Sequence, residues 1–170
     1  MSKIIYAIKD THSEAQGREL ARAQLSAGTI DVFFIEWPHP INLRDVAGSF
    51  SGIANDARPT LIDLVKLAIE HDIPVVPCDL TVDQTVESLN KLDDGYGPYN
   101  EASAFQPWGK AMRDKHVAVV INNTMLENPE YVTGLVMFGA DHFQNEEGRN
   151  ADTLDVLIYK RSCIDVELLN

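Results

Sequence analysis

The sequence predicts one α/β domain over residues 1–170: an open, mostly parallel central sheet with helices on both faces and a C-terminal hairpin or edge strands. Three observations carry this. Short runs at residues 3–8, 32–35, 73–77 and 135–138 are apolar at successive positions, as in strands covered on both faces. Segments with helical spacing or helix-start signals separate them, which is the rhythm of a parallel sheet. No repeat, low-complexity tract or Pro/Gly/Ser linker divides the 170 residues, and their 45% hydrophobic content suits a single buried core.

The first run, KIIYAI at 3–8, stops at Lys9-Asp10 and reads as a strand. A helix is expected from Ser13, with Gln16 as capping-box partner, continuing through Leu20, Ala23, Gln24 and Ala27 to Gly28. VFFI at 32–35 is the second strand, ended by Glu36-Trp37-Pro38. Residues 39–57, with Gly48, Ser49, Ser51 and Gly52, read as a loop or broken helix. Arg58-Pro59-Thr60 opens a helix whose Leu61, Leu64, Val65, Ala68 and Ile69 share one face, and Asp72 closes it. IPVVP at 73–77 is the third strand, followed by Cys78-Asp79. A polar helix over 82–92 leads into the loop from Asp93 to Pro98. A long helix should run from Pro107 to about Asn122, with Met112, His116, Val119 and Val120 facing inward. LVMF at 135–138 is the fourth strand and ends at Gly139-Ala140-Asp141-His142. Residues 156–159 and 163–168, split by Lys160-Arg161-Ser162, read as the terminal hairpin or edge pair.

The net charge of −12 disfavours nucleic acids and anionic membranes as partners. No apolar run approaches the ~20 residues of a membrane span. The N-terminus does not read as a signal peptide, so a cytoplasmic protein is expected. Cys78 and Cys163 form no metal or redox motif and read as reduced core thiols. There is no G-x-G-x-x-G, Walker loop, H-E-x-x-H or G-x-S-x-G, which disfavours nucleotide cofactors, zinc-protease helices and serine nucleophiles.

What gathers at the strand ends is informative. Asp10 and His12 follow the first strand, Glu36 the second, Asp79 the third, and Asp141 and His142 the fourth. Parallel strands put all these ends on one edge, where open α/β sheets bind ligands. Two imidazoles and up to four carboxylates in one cleft suit water activation or metal binding. Glu36 interrupts an apolar stretch, so it should be partly buried and need a partner. The remaining histidines, His39, His71 and His116, read as surface or core residues, and Trp37 and Trp108 as packing residues.

These residues resemble a known pattern. Gly139-Ala140-Asp141-His142 after an apolar strand resembles the second G-x-x-H of the Tiki/TraB superfamily. That group includes Tiki proteases, TraB/pheromone-shutdown proteins, erythromycin esterases, ChaN-like haem-binding lipoproteins and domains of some bacterial toxins. His12 stands where the first such histidine would lie, with Lys9 in place of the motif's glycine. Glu36 is similar to the family's strand-end glutamate. Met112-Arg113-Asp114-Lys115 resembles its R-D/N-x-x-M-A segment, with Val117-Ala118 in place of Met-Ala. IPVVPCD at 73–79 resembles a G-x-P-V-V-x-x-D strand, with Asp72 at the glycine. The resemblance runs from residue 4 to about 145.

The resemblance implies hydrolysis of a small molecule or peptide by activated water, without a covalent nucleophile. Glu36 or His12 would act as general base, and His142 would share the water or bind a metal jointly. Arg113 would stabilise an oxyanion or orient Glu36, reaching Glu36 or Asp141 from its helix. Asp10, Asp79 and Asp141 would support them. His12, Glu36 and His142 fit either a divalent-metal site or a metal-free dyad, and both stay open. The ChaN-like members imply a second reading, a haem or small-ligand binding module without catalysis, with Tyr96, Tyr99 and Tyr131 available as axial ligands. The toxin members imply an effector or toxin domain secreted without a classical signal peptide, as the alternative to a cytoplasmic protein.

Overall fold

The computed structural model describes residues 2–11, 14–38, 59–92, 94–147 and 151–170. The expectations on His12, Ser13, Asp93 and the irregular stretch 39–58 lie outside the described residues. The elements, in chain order, are β1 (Ile4–Asp10), α1 (Gln16–Ser26), β2 (Val32–Pro38), α2 (Leu61–Glu70), β3 (Val75–Asp79) and α3 (Val82–Asn90). They continue with a 3-10 turn (Glu101–Phe105), α4 (Pro107–Glu127), β4 (Thr133–Gly139), a second 3-10 turn (Ala140–Phe143), α5 (Leu154–Ser162) and β5 (Asp165–Leu168). All five strands are parallel, in the order β3-β2-β4-β1-β5.

The continuous apolar runs follow from that layering. Side chains alternate across a strand, so Ile5, Ala7, Val32, Phe34, Val136 and Phe138 pack on one face with residues of α4 and α5. Ile8, Phe33, Ile35, Leu135 and Met137 pack on the other with residues of α1 and α2. A sheet covered on both sides needs an apolar residue at every position.

Helix boundaries have local causes. Thr60 caps α2 by accepting from the Asp63 backbone N–H, while Asp63 accepts in return from the Thr60 N–H. Asp72 follows the helix at φ +56°, a left-handed stop. Thr81 and Gln84 form the same reciprocal cap on α3. α1 begins at Gln16 with Ala15 at its N-cap and no side-chain cap, so Gln16 is its first residue and not a capping-box partner, and it buries Gly17, Arg18, Ala21 and Leu25. A Cβ at Gly17 would lie 2.4 Å from the Lys9 carbonyl oxygen, so only glycine lets α1 approach the end of β1 this closely. α4 runs further than expected and buries Asp114, Val117, Ala118, Ile121 and Met125, while Met112, His116, Val119 and Val120 are only partly covered. The burial face is rotated to bring a carboxylate inward.

Two expectations are corrected. Residues 156–159 form the middle of α5, not a strand, and 165–168 pair with β1 in parallel as the sheet edge. Two neighbouring runs make a hairpin only if antiparallel; a parallel edge strand needs a crossover, and α5 supplies it. Cys78 is a buried thiol, but Cys163 is exposed, at the left-handed residue that ends α5. No helix among the described residues is long and apolar enough to cross a membrane.

The topology fixes where a cleft opens. β1 and β4 are neighbours, yet α1 leaves β1 along one face toward β2, and α5 leaves β4 along the other toward β5. Chains departing in opposite directions leave a crevice at the carboxyl ends of the strands.

Candidate active site

A cleft of about 260 Å³ lies there, lined by Asp10 and Thr11 from the end of β1, Glu36 from β2, Lys110 and Arg113 from α4, and the stretch from Gly139 to His142. Glu36, Arg113, Asp10, Asp141 and His142 of the expected set meet in this lining. Asp79 stands behind it, and His12 is outside the described residues, although its neighbour Thr11 is part of the wall.

Glu36 is the hub. Its Oε2 accepts from the Gly139 backbone N–H at 2.6 Å. Its Oε1 accepts from Arg113 Nη2 at 3.1 Å and lies 3.3 Å from His142 Nε2. A Cβ at Gly139 would sit 3.2 Å from Oε2 and press on the carboxylate. The second 3-10 turn carries His142 back over the end of β4, where its ring stands edge-on to Phe138 at 5.4 Å and 81°. On its far side, Asp114 Oδ1 accepts from His142 Nδ1.

These contacts set the protonation states. Burial alone would raise the Glu36 carboxyl, but the hydrogen bond and charge of His142, with Arg113 and the Gly139 N–H, hold it down at about 2. Burial alone would discharge His142, but Asp114 and Glu36 on opposite nitrogens lift it to about 9. At neutral pH the pair is therefore a carboxylate facing an imidazolium.

Arg113 was expected to reach Glu36 or Asp141. It reaches Glu36, and its stronger partner is Asp79: Nε donates to Oδ1 at 2.9 Å and Nη2 donates to Oδ2. Burial disfavours the guanidinium charge and Asp79 more than restores it, so its pKa is raised. Asp141 belongs instead to Lys110, whose Nζ donates to it at 2.8 Å and to Glu146 Oε1 at 2.9 Å. Asp10 is held by Arg18, with Nε donating at 3.0 Å and Nη2 at 2.8 Å.

Of the expected metal ligands His12, Glu36 and His142, only the last two lie among the described residues. Both His142 nitrogens face carboxylates, and both Glu36 oxygens already accept from protein donors, two of them cationic. Among the described residues no group of three or more His, Cys, Asp or Glu is placed to hold a metal. The tyrosines considered as axial ligands do not line the cleft; Tyr99 donates to Asp94 Oδ2 at 2.6 Å in a separate loop pocket, and Tyr96 is exposed.

The sequence pointed to the strand-end residues and to Arg113, and overlooked Asp114, Lys110 and Arg18 as cluster members. Asp114 did leave a signal: it starts the spacing Asp114, Val117, Ala118, Ile121, Met125, a carboxylate inside an apolar helical stripe. Arg18 likewise shares a stripe with Ala21 and Leu25. Lys110 had none beyond lying one turn before Arg113 and Asp114. No protein-family model, curated protein or solved structure matches the chain.

Proposed function

We propose that the chain is a hydrolase of the Tiki/TraB type that acts with an activated water and without a covalent nucleophile. The observation that carries this reading is the Glu36–His142 pair, a carboxylate and an imidazolium 3.3 Å apart in an open cleft with opposite pKa displacements. Ionisable pairs driven apart in this way assign acid and base roles. Scaffolding alone does not require charged groups beside an opening, where uncharged contacts would serve at lower desolvation cost.

The displacements divide the labour. A carboxylate held near 2 is a weak proton acceptor at neutral pH, so Glu36 orients the attacking water and keeps His142 charged. His142, with its Nε2–H toward the cleft, polarises the scissile carbonyl and delivers a proton to the leaving group. Arg113, locked by Asp79, holds Glu36 in place and adds positive charge for the oxyanion. Proton abstraction from water falls to His12, the imidazole that follows the first strand in sequence. The pattern Gly139-Ala140-Asp141-His142 and the strand-end Glu36 support the family assignment. Within that family a toxin or effector role is the corresponding biological proposal.

The test is turnover of a panel of chromogenic esters, macrocyclic lactones and peptides by the purified protein, with and without a chelator. Hydrolysis that survives chelation and falls by roughly 10²–10⁴-fold in Glu36→Gln and His142→Ala supports the reading. A visible haem spectrum that develops on titration, with no hydrolysis of any substrate, replaces it with the binding-module reading.

A further inference from the structure

On that hydrolase reading, we infer that Asp114 is the positioning residue of the site: it fixes the His142 ring so that the proton on Nε2 faces Glu36 and the cleft. Asp114 is fully buried and does not line the cleft, so it touches no substrate. Its Oδ1 engages His142 Nδ1, and the opposite nitrogen is the one that meets Glu36. With both nitrogens protonated, a carboxylate at Nδ1 decides the ring direction and so where the Nε2–H faces. Phe138, edge-on to the ring, blocks the remaining tilt.

The placement along α4 supports the same role. Asp114 directly follows Arg113, so a single helical turn sends a guanidinium to Glu36 Oε1 and a carboxylate to the imidazole that meets the same oxygen. A helix needs no carboxylate in the stripe it shares with Val117, Ala118 and Ile121; an apolar or amide side chain would fill that volume at lower desolvation cost. The buried charge is accounted for by what it does to His142.

The experiment uses the full chain labelled with 15N-histidine, and His142 signals are assigned by their loss in His142→Ala. The wild type should show a strongly deshielded proton on Nδ1, the mark of an imidazole bonded to a carboxylate. In Asp114→Asn that signal should vanish or move far upfield. On the ester found for the wild type, kcat should fall by roughly 10²-fold or more with KM little changed, and Asp114→Glu should recover part of the loss. Leu64→Ala, remote from the site, should lower stability and leave the His142 signal where it was. An unchanged Nδ1 signal in Asp114→Asn, or an unchanged kcat, overturns the positioning role. Should Asp114→Asn not fold, the wild-type spectrum decides, because absence of the deshielded proton overturns the role by itself. A signal that responds to Asp114→Asn in a protein that hydrolyses nothing overturns the hydrolase reading instead.

Discussion

Two buried ion clusters sit at the same edge of the sheet, and they are built differently. At the end of β1, Asp10 and Arg18 are 7% and 2% exposed and meet through two parallel hydrogen bonds. At the ends of β2 and β4, Glu36 is 23% exposed and is held by single contacts from three separate donors: Arg113, His142 and the Gly139 N–H. Arg18 is only eight residues from Asp10, on the helix that the first strand leads into. The three partners of Glu36 are 77 or more residues away, so only the finished fold assembles them. The bidentate pair ties α1 to the end of β1, at the wall of the same cleft. An open carboxylate with several one-point partners has contacts that a substrate can exchange one at a time. Burial of charge alone therefore does not single out the candidate site; greater exposure combined with divided partnership sets the Glu36 cluster apart.

The largest way to break this comparison is Arg18→Ala. It removes the guanidinium that makes two hydrogen bonds to the buried Asp10 carboxylate and should cost roughly 3–5 kcal/mol by denaturant unfolding. If the cost is instead about 1 kcal/mol, the pair at β1 is not scaffold and the contrast disappears. Glu36→Gln is the counterpart. His142 keeps Asp114, Arg113 keeps Asp79, and the amide oxygen still accepts from Gly139, so the expected cost is about 1 kcal/mol with turnover down roughly 10²–10⁴-fold. Should Glu36→Gln unfold the protein as readily as Arg18→Ala, Glu36 is scaffold too.

The pH dependence sharpens the description of the open cluster. His142 rises from 6.5 to about 9 on folding, so its contribution is complete below pH 6.5 and is lost as pH climbs toward 9. Glu36 falls from 4.5 to about 2, so its contribution is complete above pH 4.5 and is lost as pH drops toward 2. The pair then stabilises most fully between these limits. Thermal unfolding of His142→Ala should lack the wild-type decline between pH 6.5 and 9; a decline of the same size in the variant would assign it to other groups. The smallest effect belongs to Gly139→Ala. The added Cβ meets Glu36 Oε2 at 3.2 Å and pushes it by a few tenths of an ångström. Stability should change by under about 1 kcal/mol while turnover drops several-fold. Unchanged turnover would mean that the Gly139 N–H does not hold Glu36 in its working position.

What the sequence alone determined is the local periodicity and its direct consequences. Consecutive apolar runs announce strands buried on both faces, capping residues such as Thr60 with Asp63 announce helix starts, and parallel strands send their carboxyl-end residues to a common edge. That was enough to bring Glu36, Asp141 and His142 to one cleft, while Arg113 was placed there by the resemblance to the Tiki/TraB pattern. Ambiguity began where a short run fits either period. Residues 156–159 are apolar and β-branched in equal suitability for strand or helix, and the need for a crossover to a parallel edge strand decided for helix. The sequence likewise identifies which cations and carboxylates exist and says nothing about who meets whom. Arg113 chose Asp79 over Asp141, Lys110 took Asp141, and Asp114 turned inward. Such pairings depend on the strand order β3-β2-β4-β1-β5 and on the rotation of α4, and both are set by packing across the two faces of the sheet. Charge pairs reach only a few ångströms, so their partners are chosen by whichever backbone placement the core has already imposed.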